Sequence, residues 1–140
     1  MALDYITTAD SVVDITNSGA SGGTICVNVY GFDAQEEMIS CCACPVTPNG
    51  LISLSARALV NTALTGTSPN ELVIKLLATT PGTNSFGGAV CNTTPTNANL
   101  APGMLAWGTT VHALPTSPAT FGIAETPFLP GSLSAAELVT

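Results

Sequence analysis

Short apolar segments with a two-residue period, separated by clusters of Gly, Pro and Asn, limit most strongly what this chain can fold into. In SVVDITN (residues 11–17), Val13 and Ile15 fall on one face and Val12 and Asp14 on the other. TICVNVYGF (24–32) sends Ile25, Val27 and Val29 one way and Cys26, Asn28 and Tyr30 the other, which predicts a strand with a core face and a mixed face. GLISLSA (50–56) alternates more weakly. In ELVIKLLAT (71–79), Leu72, Ile74 and Leu76 alternate with Val73, Lys75 and Leu77. MLAWGTTVHAL (104–114) and ATFGIAET (119–126) complete the set. Turn clusters lie at 17–23, 45–50, 66–70, 81–88, 93–103 and 115–118. Six or seven strands at this spacing predict an all-β chain, an antiparallel β-sandwich of immunoglobulin-like or jelly-roll-like kind.

Two segments depart from that pattern. RALVNTAL (57–64) suits a helical turn or a strand continuation equally well. In SLSAAELVT (132–140), Ser134 followed by Glu137 forms a capping box and predicts the start of a short C-terminal helix. A chain of 140 residues makes one domain with a real core. Residues 10–140 form that domain, and residues 1–9 are an extra edge strand or an arm that reaches a neighbouring molecule.

Charge narrows the function classes. Only 8% of residues are charged, against about 25% in an ordinary domain, while 46% are hydrophobic, so the chain is not a disordered one. The surface is therefore built from Thr, Ser, Asn and Gly. Two basic residues, Arg57 and Lys75, stand against nine acidic ones, for a net charge of −7. So few cations exclude phosphate neutralisation, and with it nucleic acid and anionic membrane surfaces as partners. No apolar run reaches the roughly 18 residues of a membrane helix, so membrane insertion is not expected. Weak charge repulsion between copies favours self-association.

SCCACPVTPNG (40–50) crowds Cys41, Cys42 and Cys44 together, with Cys26 and Cys91 elsewhere. Structural zinc calls for two spaced ligand pairs, which are absent. Cys41 and Cys44 have redox-motif spacing, but Pro45 and Pro48 oppose the helix such a motif opens. Disulfide staples remain, with Cys26 and Cys91 tied to the Cys41–Cys44 hub and one thiol left over. Five cysteines in so polar a chain imply an oxidising compartment. Residues 1–20 lack the basic and apolar regions of a leader, and the expectation is that one has been removed.

Other candidates are sparser. Asp33, Glu36 and Glu37 in GFDAQEEM are the acidic turn best placed for calcium, the one cofactor entertained, although their order matches no EF-hand. Asn92-Thr93-Thr94 is a glycosylation acceptor pattern at Asn92. His112 is the lone histidine and the only possible triad base, no nucleophile elbow or phosphate loop is present, and the aromatic supply is thin for a sugar cleft, so the chain is not expected to be an enzyme.

CVNVYGFDAQEEMISCCACPVTPNGLISLS (26–55), preceded by DSVVDITNSGASGG and joined later by ETPFLPGSLSAAEL, resembles an uncharacterised family of secreted, largely acidobacterial proteins. The resemblance covers about half the chain. It implies secretion, a β-rich fold, and a further cysteine after the C-terminal helix to partner the odd one. It names no catalytic residue.

Together these readings predict a secreted structural subunit, extracellular or at the cell surface, that polymerises with itself into a filament or surface layer. The linkage expected is β-strand addition by residues 1–9, with Leu3, Tyr5 and Ile6 as assembly contacts. The alternatives are a secreted monomeric binding module that uses residues 81–103 for a glycan or protein, and, further off, a viral coat component.

Overall fold

The computed structural model describes residues 2–4, 10–61, 66, 68–92, 94–114 and 117–131. Their elements are β1 (Ala2–Asp4), β2 (Val12–Asn17), β3 (Ile25–Phe32), β4 (Met38–Val46), β5 (Leu51–Ser55), α1 (Ala56–Asn61), β6 (Glu71–Thr79), β7 (Gly82–Thr83), β8 (Ala89–Val90), β9 (Met104–Leu114) and β10 (Ser117–Pro127). Two antiparallel four-stranded sheets form a sandwich. Sheet A is ordered β1–β6–β3–β4 and sheet B is ordered β10–β9–β2–β5, with β7 and β8 as a separate small hairpin.

The alternation read from the sequence is the alternation that packs. Val13 and Ile15 of β2 are fully buried and join Ile25, Val27 and Val29 of β3, Leu72 and Ile74 of β6, and Ile39 and Val46 of β4 in one core. Between the sheets these branched side chains lose all contact with water, which supplies about 1.5–3 kcal/mol each before chain entropy is charged against it. β3 is buried on both faces for most of its length. Its inner face meets β2. Its outer face is covered where Cys26 bonds to Cys91 and where Asn28 donates from Nδ2 to the Leu77 carbonyl and to Thr79 Oγ1, both at 3.1 Å.

The undecided 57–64 segment opens as helix α1. Ser55 caps it by accepting from the Ala58 N–H at 2.9 Å, and Asp10 accepts from the Arg57 N–H at 3.0 Å. The Ser55 hydroxyl in turn donates to Asp10. The first orphan amides of the helix are thus satisfied, which tips the balance against a continued strand. The predicted C-terminal helix, with Ser134 and Glu137, lies outside the described residues, as do Tyr5 and Ile6.

Asn17, read only as the edge of a turn cluster, is a buried clasp. Its Nδ2 donates to the carbonyls of Gly23 (2.9 Å) and Val46 (3.0 Å), and its Oδ1 accepts from the Gly19 N–H (2.9 Å). Its backbone N–H donates to the Gly50 carbonyl, and its carbonyl accepts from the Asn49 N–H. One side chain therefore joins the end of β2 to the Gly-rich turn and to the β4–β5 connection. Asn49 turns that connection at φ 59°, a left-handed conformation that Asn tolerates.

Candidate functional site

The cysteine cluster is not a knot in a loop. It is the middle of β4, an edge strand that runs from Met38 through Pro45 to Val46. Pro45 fits because the register turns its missing N–H away from the sheet. The Thr80 N–H donates to Asn99 and the Ala101 N–H to the Ala78 carbonyl, so Ala78 and Thr80 face the outer side of β6 and Thr79 faces β3. Carried across the pairs Thr79 with Cys26 and Val27 with Cys44, this parity makes Cys44 a hydrogen-bonded partner of β3. The backbone groups of Cys41, Ala43 and Pro45 then point to the open side, where a proline is tolerated.

The same register sorts the thiols by face. Cys42 and Cys44 stand opposite Val29 and Val27, on the inner face at the rim of the core; Cys41 stands opposite Tyr30, on the outer face. Cys26 is also an outer-face residue, and the chain leaving β8 passes over it, so Cys26 bonds directly to Cys91 with a Cα–Cα distance of 5.3 Å. This corrects the expectation that both would be tied to the hub. Cys41, Cys42 and Cys44 are free thiols, Cys41 and Cys42 exposed and Cys44 half-buried. Cys42 is pushed up to about 11, first by the protein crowding its sulfur, then by the neighbouring Cys44, then by Cys41. Burial raises the Tyr30 phenol above its ordinary value and Cys41 adds to this, while the Lys75 ammonium pulls it back down.

Beside this strand, Asn28, Tyr30, Cys41, Ala43, Asn92 and Thr94 line a shallow hollow of about 280 Å³ on the outer face of sheet A. Asn92, the glycosylation candidate, is exposed at its rim.

The remaining predicted residues are not brought together. Asp33, Glu36 and Glu37 form the β3–β4 turn, where Asp33 Oδ1 accepts from the Gln35 and Glu37 N–H groups, each at 2.9 Å, and Glu36 sits at φ 64°. This carboxylate is engaged in holding the turn, and among the described residues no three His, Cys, Asp or Glu side chains converge as metal ligands. His112 is exposed on β9, across from Gly122. Leu3 lies in β1, paired with Leu72.

Sequence reasoning missed β4 itself, and with it the facing of the thiols. The hairpin turn at Asp33–Glu37 does not supply that facing, because carried along the strands unchanged it would set Ser40 across from Tyr30; the irregularity between Gly31 and Phe32 shifts the register by one residue and brings Cys41 there. Comparison with protein-family models, with curated proteins and with solved structures finds no match. Among the described residues no helix is long and apolar enough to cross a membrane.

Proposed function

We propose that the protein is an extracellular structural subunit that assembles with copies of itself by strand addition, the strand being supplied by the N-terminal arm. The carrying observation is β1. It adds to sheet A only through Ala2, Leu3 and Asp4, opposite Val73, Leu72 and Glu71, at the outer edge of the nine-residue β6. Strand parity turns the Leu76 backbone groups to that same edge, and no strand among the described residues pairs with them. A ladder of three residues on a longer edge is easily exchanged for the same ladder in a neighbour, since every bond broken within one copy is remade between two.

Two further features support the reading. Leu51 and Leu105, 55% and 60% exposed, flank Thr16 on the outer face of sheet B, a small apolar pair open to contact with another copy, and Ile123, 69% exposed, stands apart from them on the same face. A disulfide fits an oxidising extracellular setting, and the resemblance to secreted proteins points the same way.

The test is deletion of residues 1–9, with mass read by light scattering. Soluble monomers that keep the β-sheet circular dichroism of the full chain are the expected result. Assembly that persists at wild-type level removes the arm as the link. The hollow beside Tyr30 favours the second reading, a secreted module for a glycan or protein, and that reading requires a monodisperse full-length monomer.

A further inference from the structure

β4 is an edge strand with no charged residue from Met38 to Val46. Lysine, the usual guard against edge-to-edge pairing, is absent from it, and the guards present are Pro45 and the irregularity opposite Gly31 and Phe32. The stretch between them, 40–44, carries three free thiols and open backbone groups on Cys41 and Ala43. Such an edge is a template for another strand, and its chemistry selects which one.

A two-fold axis perpendicular to the sheet keeps inner-face residues opposite inner-face residues, so only every second register is allowed. With the axis at Ala43, the two Ala43 residues exchange both backbone bonds and each Cys41 N–H meets the partner's Pro45 carbonyl. Cys42 then stands opposite the partner's Cys44, twice, on the inner face. These are non-hydrogen-bonded pairs, for which Cα atoms lie about 4.5 Å apart, within the range that a disulfide spans. Every inner-face thiol of the strand finds a mate, and the missing N–H of Pro45 leaves only one acceptor per copy unmatched. Charge does not oppose the pairing. The acidic turns that hold Asp33, Glu36 and Glu37 sit at opposite ends, with the two Met38 ends about 34 Å apart, well beyond a screening length of about 10 Å.

We propose that β4 is a self-complementary docking edge for a second copy of this chain, closed by two reciprocal disulfides between Cys42 of one copy and Cys44 of the other. The inference deepens the structural-subunit reading and rests on it, adding a second, covalent contact at the edge opposite β1. The oxidant is a low-molecular-weight disulfide. For each bond one thiolate attacks its S–S bond and releases one thiolate, and the thiol across the interface, losing its proton to solvent, displaces the second. Two protein thiols and one disulfide become one protein disulfide and two small thiols.

The experiment uses the full chain of 14.1 kDa with oxidised glutathione, read on non-reducing gels. Wild type and Cys41→Ser should give a covalent dimer. Cys42→Ser and Cys44→Ser should each lose it by at least tenfold, and mixing those two variants should restore it, because Cys44 of one then meets Cys42 of the other. Ala43→Pro, which removes only an outward N–H, should slow dimer formation at least tenfold. A wild-type chain that stays monomeric, a dimer that survives in Cys44→Ser, or a mixture that fails to complement overturns the proposal. Light scattering in reductant keeps the two ideas apart. β1-dependent assembly without a covalent dimer rejects the β4 contact alone; a covalent dimer without β1-dependent assembly rejects the arm alone.

Discussion

Asn17 ties the β2–β3 turn to the end of β4 through a fully buried amide, so replacing it removes two donors and an acceptor at once and leaves the Gly19 N–H without its acceptor, while the Gly23 carbonyl keeps only the Ser21 hydroxyl. An unsatisfied buried polar group costs about 1–3 kcal/mol. Asn17→Ala should therefore lower the unfolding free energy by about 1–3 kcal/mol, read as a fall in the urea midpoint with unchanged slope. Cys42 gives a pH signature. With its folded pKa raised to about 11 from 9.0, its thiol stays protonated through neutral pH. Its alkylation by iodoacetamide should climb about tenfold per pH unit from pH 7 and level off only near pH 11. The linkage sign follows. Between pH 9 and 11 the folded form holds a proton that the unfolded form has lost, so this group's contribution to stability is full below about pH 9 and is lost as pH rises through 11. A plateau reached by pH 9 would show that the sulfur is less crowded than its position at the core rim implies.

Among the elements, β9 begins at a junction that admits little variation. Gly103 has φ +100°, and a Cβ there would lie 3.0 Å from Ser18 Oγ and 3.1 Å from the Ala20 N, while its carbonyl accepts from the Ser18 N–H. Gly103→Ala should cost about 1–3 kcal/mol, measured by thermal unfolding, and Gly131→Ala, with open space around it, almost nothing. The strands that could be read in advance were those whose sequence alternates: β2, β3 and β6 set branched apolar side chains at every second position, Val13 and Ile15, Ile25, Val27 and Val29, and Leu72, Ile74 and Leu76, while β9 was read from its apolar run alone. β4 escaped because MISCCACPV has two branched residues toward its ends and small, mostly sulfur-bearing ones between, and because Pro45 signals a stop unless the open side of the strand is known. β7, β8 and β1 are two or three residues long, below the length at which a period exists. Cys26 and Cys91 were legible as staple material, but Cys41, Cys42 and Cys44, read the same way, are free thiols; the partner of Cys26 depends on which face each residue takes, and that is fixed by register across sheet A.

At the scale of the molecule, the Cys26–Cys91 bond closes a loop spanning 65 residues, which includes β4, β5, α1 and β6. Loop entropy for that length makes the bond worth about 4 kcal/mol. The double variant Cys26→Ala with Cys91→Ala should unfold at a correspondingly lower denaturant midpoint, and reductant should destabilise wild type but leave the double variant unchanged. Equal sensitivity of both to reductant would place the effect elsewhere.

The same bond decides how the chain answers a pull. Tension applied at the two ends runs through the sulfur bridge and bypasses the closed loop, so the stretched chain can lengthen to only about 260 Å and not the roughly 490 Å of its full contour. Nearly half of the backbone, including most of sheet A, is shielded from the load. In a force trace the protein should give one short release, and a second extension of about 230 Å should open only after the bridge is reduced.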